Sequence, residues 1–158
     1  MAEDKSAFRL LASLGNPGKE YHGTRHNAGF TVAESLAESF NGISSEFKIP
    51  GGTARKFVFN DTEVHIVKPL RFMNLSGETV ASFIAKKNLK PENLLVIHDD
   101  MDIPIGRIRI AMGGGAAGHK GIQSIIDCLG SANFARLRFG IGRGQSSGAR
   151  DYVLSVFD

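Results

Sequence analysis

At 158 residues, 42% hydrophobic and 22% charged, the chain is sized for one compact domain with one core, which excludes two independent domains and a disordered protein. A net charge of +3 is a mild lean toward polyanionic partners and settles nothing alone. A single cysteine excludes an internal disulfide and a multi-thiolate metal centre, and points to a reducing, cytoplasmic setting.

Met1 to Ser6 is short and charged and is followed by about six strand-like residues, so neither a signal peptide nor a membrane span is expected. Phe8 to Leu14 reads as a buried first strand that ends in the turn Gly15-Asn16-Pro17-Gly18. From Asn27 to Phe40, Phe30, Val32, Ala33, Leu36, Ala37 and Phe40 recur at helical spacing, with Glu34 and Glu38 opposite, which predicts an amphipathic helix. Phe57 to Phe59 and Val64 to Val67 flank the polar run Asn60 to Glu63 and read as a hairpin. Ser76 is the expected N-cap of a helix from Gly77 to Lys87, with Thr79 where a capping box would place Glu.

Leu94 to His98 is a continuous apolar run of the kind covered on both sheet faces, and it leads into Asp99-Asp100-Met101-Asp102. Ile108 to Met112 is a further strand, after which Gly113 to Gly118 opens a helix running to Leu129, with Cys128 expected as a buried thiol in its apolar stretch. Arg136 to Gly142 alternates Leu137, Phe139 and Ile141 against Arg136, Arg138 and Gly140, which predicts one apolar and one basic or open face. Gly140 to Gly148 is the stretch whose composition looks most mobile, and Ala149 to Phe157 reads as a short final helix. The alternation of elements predicts an α/β fold, a three-layer single domain with a mixed, mostly parallel twisted sheet flanked by helices.

Polar clusters at Asn16, His26-Asn27, Met73-Asn74 and His98-Asp99 fall at strand ends or turns, where open α/β sheets bind ligands, and Gly113 to Lys120 adds another. His26 can act as a general base with Asp99 as its orienting carboxylate, or it can simply hydrogen-bond a loop while Asp99 is solvated. Asn16 and Asn74 have the donors and acceptors to grip an ester and support an oxyanion, and they are equally ordinary turn residues. The Gly-rich segment can present free N–H groups to an anion or merely let a helix pack closely on the sheet.

Other motifs carry less. Gly113 to Gly118 spells G-x-G-x-x-G, but no ribose-binding acid follows near Arg138, and Gly118 precedes His119 rather than Lys-Ser/Thr. Gly144 to Gly148 spells G-x-S-x-G, yet no histidine follows His119 to complete a nucleophile-elbow triad. The acids and histidines at His98 to Asp102 lack a recognised metal-ligand pattern.

Leu14-Gly15-Asn16-Pro17-Gly18, Tyr21 and Thr24-Arg25-His26-Asn27-Ala28-Gly29 resemble the N-terminal signature of the bacterial-type peptidyl-tRNA hydrolase family. The likeness continues through Lys68-Pro69, Phe72 to Gly77, His98 to Gly106, Gly118-His119, Phe134, Arg136-Leu137-Arg138 and Gly140-Ile141-Gly142, and so covers nearly the whole chain. The resemblance implies hydrolysis of the ester joining a peptide to the 3′ end of a tRNA, with no metal, cofactor or covalent intermediate. It implies that His26 activates the attacking water, that Asp99 supports it, and that Asn16 and Asn74 hold the ester and peptide end.

It further implies that Tyr21, Phe72 and Met73 line the peptide cleft, that His119 shapes the site beside Gly118, and that Arg138 contacts the 5′ phosphate. Recognition through phosphates and the stacked 3′ end follows, by a cytoplasmic monomer. The sequence departs from the pattern at Lys120, where an asparagine is common, and at Ala111, where a lysine is usual and for which Arg109 can substitute. The single domain ends at Asp158, so it is expected to lack the C-terminal helical segment with which relatives usually continue. The alternatives are an RNA-binding relative without hydrolysis and a nucleotide-dependent enzyme that uses the Gly-rich loop.

Overall fold

The computed structural model describes residues 7–144 and 148–157. Strands β1 (Leu10–Ser13), β2 (Phe47–Ile49), β3 (Gly52–Phe59), β4 (Thr62–Pro69), β5 (Leu94–Asp100), β6 (Ile108–Met112) and β7 (Ala135–Gly140) form one sheet in the order β2-β3-β4-β1-β5-β7-β6. The central pairs β4–β1, β1–β5 and β5–β7 are parallel, and antiparallel strands close both edges. Helices are α1 (Ala28–Ser39), α2 (Ser76–Lys86), α3 (Lys120–Leu129) and α4 (Ala149–Val153).

Side chains alternate across each strand, so the core divides in two. Leu10 and Ala12 of β1, Val67 of β4 and Val96 of β5 face one way and pack with Val80 and Phe83 of α2 and Ile122 and Ile125 of α3. Leu11 of β1 and Val64 and Ile66 of β4 face the other way, against Ala33, Ala37 and Phe40 around α1. The result is the expected three-layer α/β domain. Among the described residues, no helix is long and apolar enough to cross a membrane.

The hairpin turn is tighter than expected. Asn60 and Asp61 both adopt positive φ, 48° and 62°, the geometry of a two-residue turn whose twist suits the flanking strands, and Asn and Asp tolerate it best after glycine. Thr62 and Glu63 therefore belong to β4. The strand β2 is mostly exposed, and its alternation Phe47-Lys48-Ile49 is too short to mark a strand in the sequence. The last helix stops at Val153, and Val156 instead bridges to Thr24.

Four expectations are corrected. Ser76 is not a cap: a 3-10 turn over Met73–Leu75 runs directly into α2, Ser76 is its first residue, and the Gly77 N–H is taken by Ser124 Oγ of α3 at 2.9 Å. Cys128 is exposed, because Ile122, Ile125, Ile126 and Leu129 form the inward stripe of α3 and residue 128 lies about 100° round the helix from it. Arg136 is buried, unlike its half-buried neighbours Leu137 and Phe139. Its two terminal guanidinium nitrogens donate to Gly115 O, Gly114 O and Ala132 O at 2.7, 2.7 and 3.1 Å, which offsets the cost of burying the charged head, while the buried Nε finds no partner among the described residues. Gly140 to Gly142, placed by composition in a mobile stretch, is pinned by N–H bonds to Arg107 O, Asp100 O and Ile103 O. Residues 145–147, the centre of the G-x-S-x-G motif, lie outside the described residues.

Candidate active site

In chain order β4 and β5 flank β1 on opposite sides, so the sheet reverses direction of growth at β1 and leaves a crevice beyond the carboxyl ends of these three strands. Each end delivers a predicted group: Asn16 after β1, Met73-Asn74 after β4, and Asp99 at the end of β5. The Asn16 loop is locked by a reciprocal pair in which Asn16 N donates to Asn27 Oδ1 at 2.8 Å and Asn27 Nδ2 donates to Asn16 O at 2.9 Å. Asn16 Oδ1 accepts from Met73 N at 2.7 Å. That donor fixes the amide orientation and leaves Asn16 Nδ2 as the group that the crevice can use.

His26 sits on a short 3-10 turn, Arg25–Asn27, that leads into α1. Gly29 lets this turn dock: a Cβ there would lie 2.5 Å from Leu14 O and 2.6 Å from Ile97 O, so only glycine permits α1 to start directly against β1 and β5. The consequence is contact across 73 positions of sequence, with His26 Nδ1 2.8 Å from Asp99 Oδ2. The second carboxylate oxygen of Asp99 is 2.7 Å from His119 Nε2. His98, the neighbouring residue on β5, packs edge-on against His119 with ring centroids 4.9 Å apart.

Electrostatics separate these groups. Asp99 is buried, which works against its charge, but the hydrogen bonds from His119 and then His26 prevail and hold its carboxyl well below the usual carboxylate range. It is an anion at neutral pH and can only accept hydrogen bonds, so His26 Nδ1 carries a proton and donates it to Asp99. His26 Nε2 is then the nitrogen able to take a proton. His98 is pushed down to about 4, chiefly by burial, and is neutral.

A cleft of about 600 Å³ gathers Asn16, Tyr21, His26, Phe72, Met73, Asn74, Asp99, Gly118, His119 and Lys120. Tyr21 and Phe72 meet edge-to-face with centroids 6.3 Å apart, an apolar wall beside the polar floor. Arg138 and its expected companion Arg109 are not on this wall; Arg138 Nε donates to Asp100 Oδ2 at 2.7 Å, and the two arginines lie directly opposite each other across the β6–β7 ladder. The anion-cradle reading of the Gly-rich loop meets a different geometry. Gly114 and Gly115 carbonyls turn to Arg136, while the N–H groups of Gly121 and Ile122 at the start of α3 are taken by His119 Nδ1.

Three contributions escaped sequence reasoning. Asn27 was seen only as part of a polar cluster, and its role in locking the Asn16 loop depends on tertiary contact. Ala149, Arg150, Val153 and Leu154 of the α4 segment line the cleft. That segment is fastened beside His26 by Arg25, which stacks 4.4 Å from the Tyr152 ring centroid and donates to Ser155 Oγ and Val156 O. No local signal marks Arg25 for this task. As for metal ligation, His26, Asp99 and His119 offer donor atoms within 4.8 Å of one another. Two hydrogen bonds already join them, and a cation would have to displace both.

A family model described as peptidyl-tRNA hydrolase matches residues 10–158. A peptidyl-tRNA hydrolase of Syntrophomonas wolfei subsp. wolfei is 46% identical over 150 residues, spanning 95% of this chain and 81% of that protein. One from Thermodesulfovibrio yellowstonii is 43% identical over 150 residues, spanning 94% of this chain and 79% of that protein. The solved structure of peptidyl-tRNA hydrolase from Acinetobacter baumannii superposes with a TM-score of 0.90 at 36% identity, over 99% of this chain and 80% of that one.

Proposed function

This chain belongs to the peptidyl-tRNA hydrolase family and is a hydrolase of peptidyl-tRNA, and from that premise we propose that His26 is the base that activates water against the peptide–ribose ester. The observation carrying this reading is the 2.8 Å pair between His26 Nδ1 and Asp99 Oδ2 in the same cleft as Asn16 and Asn74. With Nδ1 donating to Asp99, Nε2 takes a proton from water as its oxygen bonds to the ester carbonyl carbon. The negative charge that develops on the carbonyl oxygen is met by amide N–H groups of Asn16 and Asn74. As the tetrahedral species collapses, the ester C–O bond breaks, and the proton on His26 passes to the departing ribose oxygen. The products are free tRNA and a peptide with a free carboxylate.

Asp99 keeps the imidazole in the useful tautomer and stabilises the imidazolium that forms, as a buried carboxylate does in other His-dependent hydrolases. Tyr21, Phe72 and Met73 supply apolar surface for the peptide. Gly118, at φ 82°, makes a left-handed turn on the cleft wall just before His119, and Lys120 sets a cation beside the polar floor for a carbonyl or a phosphate of the 3′ end. Arg138 and Arg109, side by side on β7 and β6, suit a backbone phosphate farther along the acceptor stem. The reaction belongs in the cytoplasm, with the protein acting as a monomer.

The test is release of peptide from N-blocked aminoacyl-tRNA, with the free-amino form spared. His26→Ala is expected to lower kcat by about a hundredfold or more. Unchanged turnover in a folded His26→Ala protein rejects the assigned base.

A further inference from the structure

Asp99 serves two imidazoles, and the second has an unusual attachment. His119 is the N-cap of α3, and its Nδ1 lies 3.1 Å from Gly121 N and 3.3 Å from Ile122 N. Both of those groups are N–H donors with no other intrahelical partner. A ring nitrogen that accepts from them must present a lone pair, so the one proton of the His119 ring resides on Nε2, the atom 2.7 Å from Asp99 Oδ1. We infer that His119 is a positioning residue: an uncharged imidazole, locked in the Nε2–H tautomer by the first turn of α3, that anchors one oxygen of Asp99 so that the other holds His26 for catalysis.

The lock has two physical parts. A proton on Nδ1 would point at two N–H groups and lose both cap bonds. It would also place positive charge at the positive end of the α3 dipole, where cations are disfavoured. The ionisable groups packed on the His119 ring are Asp99 and His98 of β5 and His26 of the 3-10 turn, with ring centroids 4.9 Å and 5.1 Å away for the two histidines. His98 is neutral, so Asp99 brings the one formal charge that these side chains present to His26 at rest.

That charge count gives the arrangement its use. A cationic partner on Asp99 would orient the carboxylate but cancel the charge that favours an imidazolium at His26. A neutral donor orients it and leaves the charge to act on His26. His119 thus works through Asp99 rather than on the substrate, which differs from the substrate-shaping part that the family resemblance assigns to it.

This inference rests on His26 being the base, and the experiment separates the two claims. In 15N-labelled protein at neutral pH, the ring nitrogens of His119 should report a protonated Nε2 and a bare Nδ1; a proton on Nδ1 overturns the inference whatever the variants do. His119→Asn keeps a side-chain acceptor for the helix cap but is too short to donate to Asp99. It should melt close to the wild-type temperature, keep KM within about twofold, and lose about ten- to a hundredfold in kcat, the size of one charge-assisted hydrogen bond.

The acid limb of its kcat/KM profile should move to higher pH, because the freed carboxylate concentrates its charge on His26. A folded His119→Asn protein with wild-type kcat and pH profile overturns the positioning role even when His26→Ala is inactive. An active His26→Ala protein overturns the base while leaving the His119 tautomer to be decided by its nitrogen signals.

Discussion

Acid should weaken this fold in a window set by His98. The ring is 5% exposed, its Nδ1 donates to Asp99 O at 2.7 Å, and its buried Nε2 has no partner among the described residues. Burial, the largest cause, pushes the group down to about 4 from the ordinary histidine value. Above about pH 6.5 neither the folded nor the unfolded chain protonates this residue, and it contributes no pH dependence. Between about 6.5 and 4 the unfolded chain binds a proton that the folded chain excludes, so stability falls as pH falls, by about 1.4 kcal/mol per pH unit and about 3 kcal/mol in all. Below pH 4 both states carry the proton and the loss levels off.

Asp99 acts in a different window: its depressed carboxyl contributes stability that is present above about pH 4, the unfolded value, and lost only below it. His65, also lowered chiefly by burial, adds to the loss in the His98 window and must be subtracted. The comparison is therefore wild type against His98→Asn, by urea denaturation at steps from pH 7 to pH 4. With no tryptophan in the chain, circular dichroism is the natural probe. The stability difference between the two proteins should shift by about 3 kcal/mol in favour of the variant across the range. A constant difference, or an NMR titration of the His98 ring centred near its ordinary value, would refute the reasoning.

Packing gives a second test. A Cβ on Gly77 would fall 2.1 Å from Ser124 O and 2.4 Å from its carbonyl carbon, so Gly77→Ala must push α2 off α3 and should cost about 2–3 kcal/mol in urea denaturation; wild-type stability would show that the helices do not cross so closely. Exposure gives a third. Cys128 faces solvent, so the native protein should react with one equivalent of an aromatic disulfide reagent nearly as fast as the unfolded chain; protection would return the thiol to the core.

Much of the framework is local and so was legible. The spacing of Phe30, Ala33 and Ala37 suffices for α1, the unbroken apolar run at Leu94 suffices for β5, and the bounds of β6 coincide with the Ile108 to Met112 pattern. The polar residues at strand ends could be picked out as well, because α/β topology directs those ends to a common crevice. Spacing along one chain could not show which of them meet. His26 and Asp99 are 73 positions apart, Asn16 and the Met73 N–H 57, and their contact depends on β1 lying between β4 and β5. The Ser124 cap on α2, the burial of Arg136 and the His119 lock were hidden for the same reason. Periodicity records which face of an element turns inward, because that preference is carried by neighbouring residues. Hydrogen-bond partners, tautomers and protonation states are set by groups that only chain folding brings within 3 Å, where burial removes the water that would otherwise compete for them.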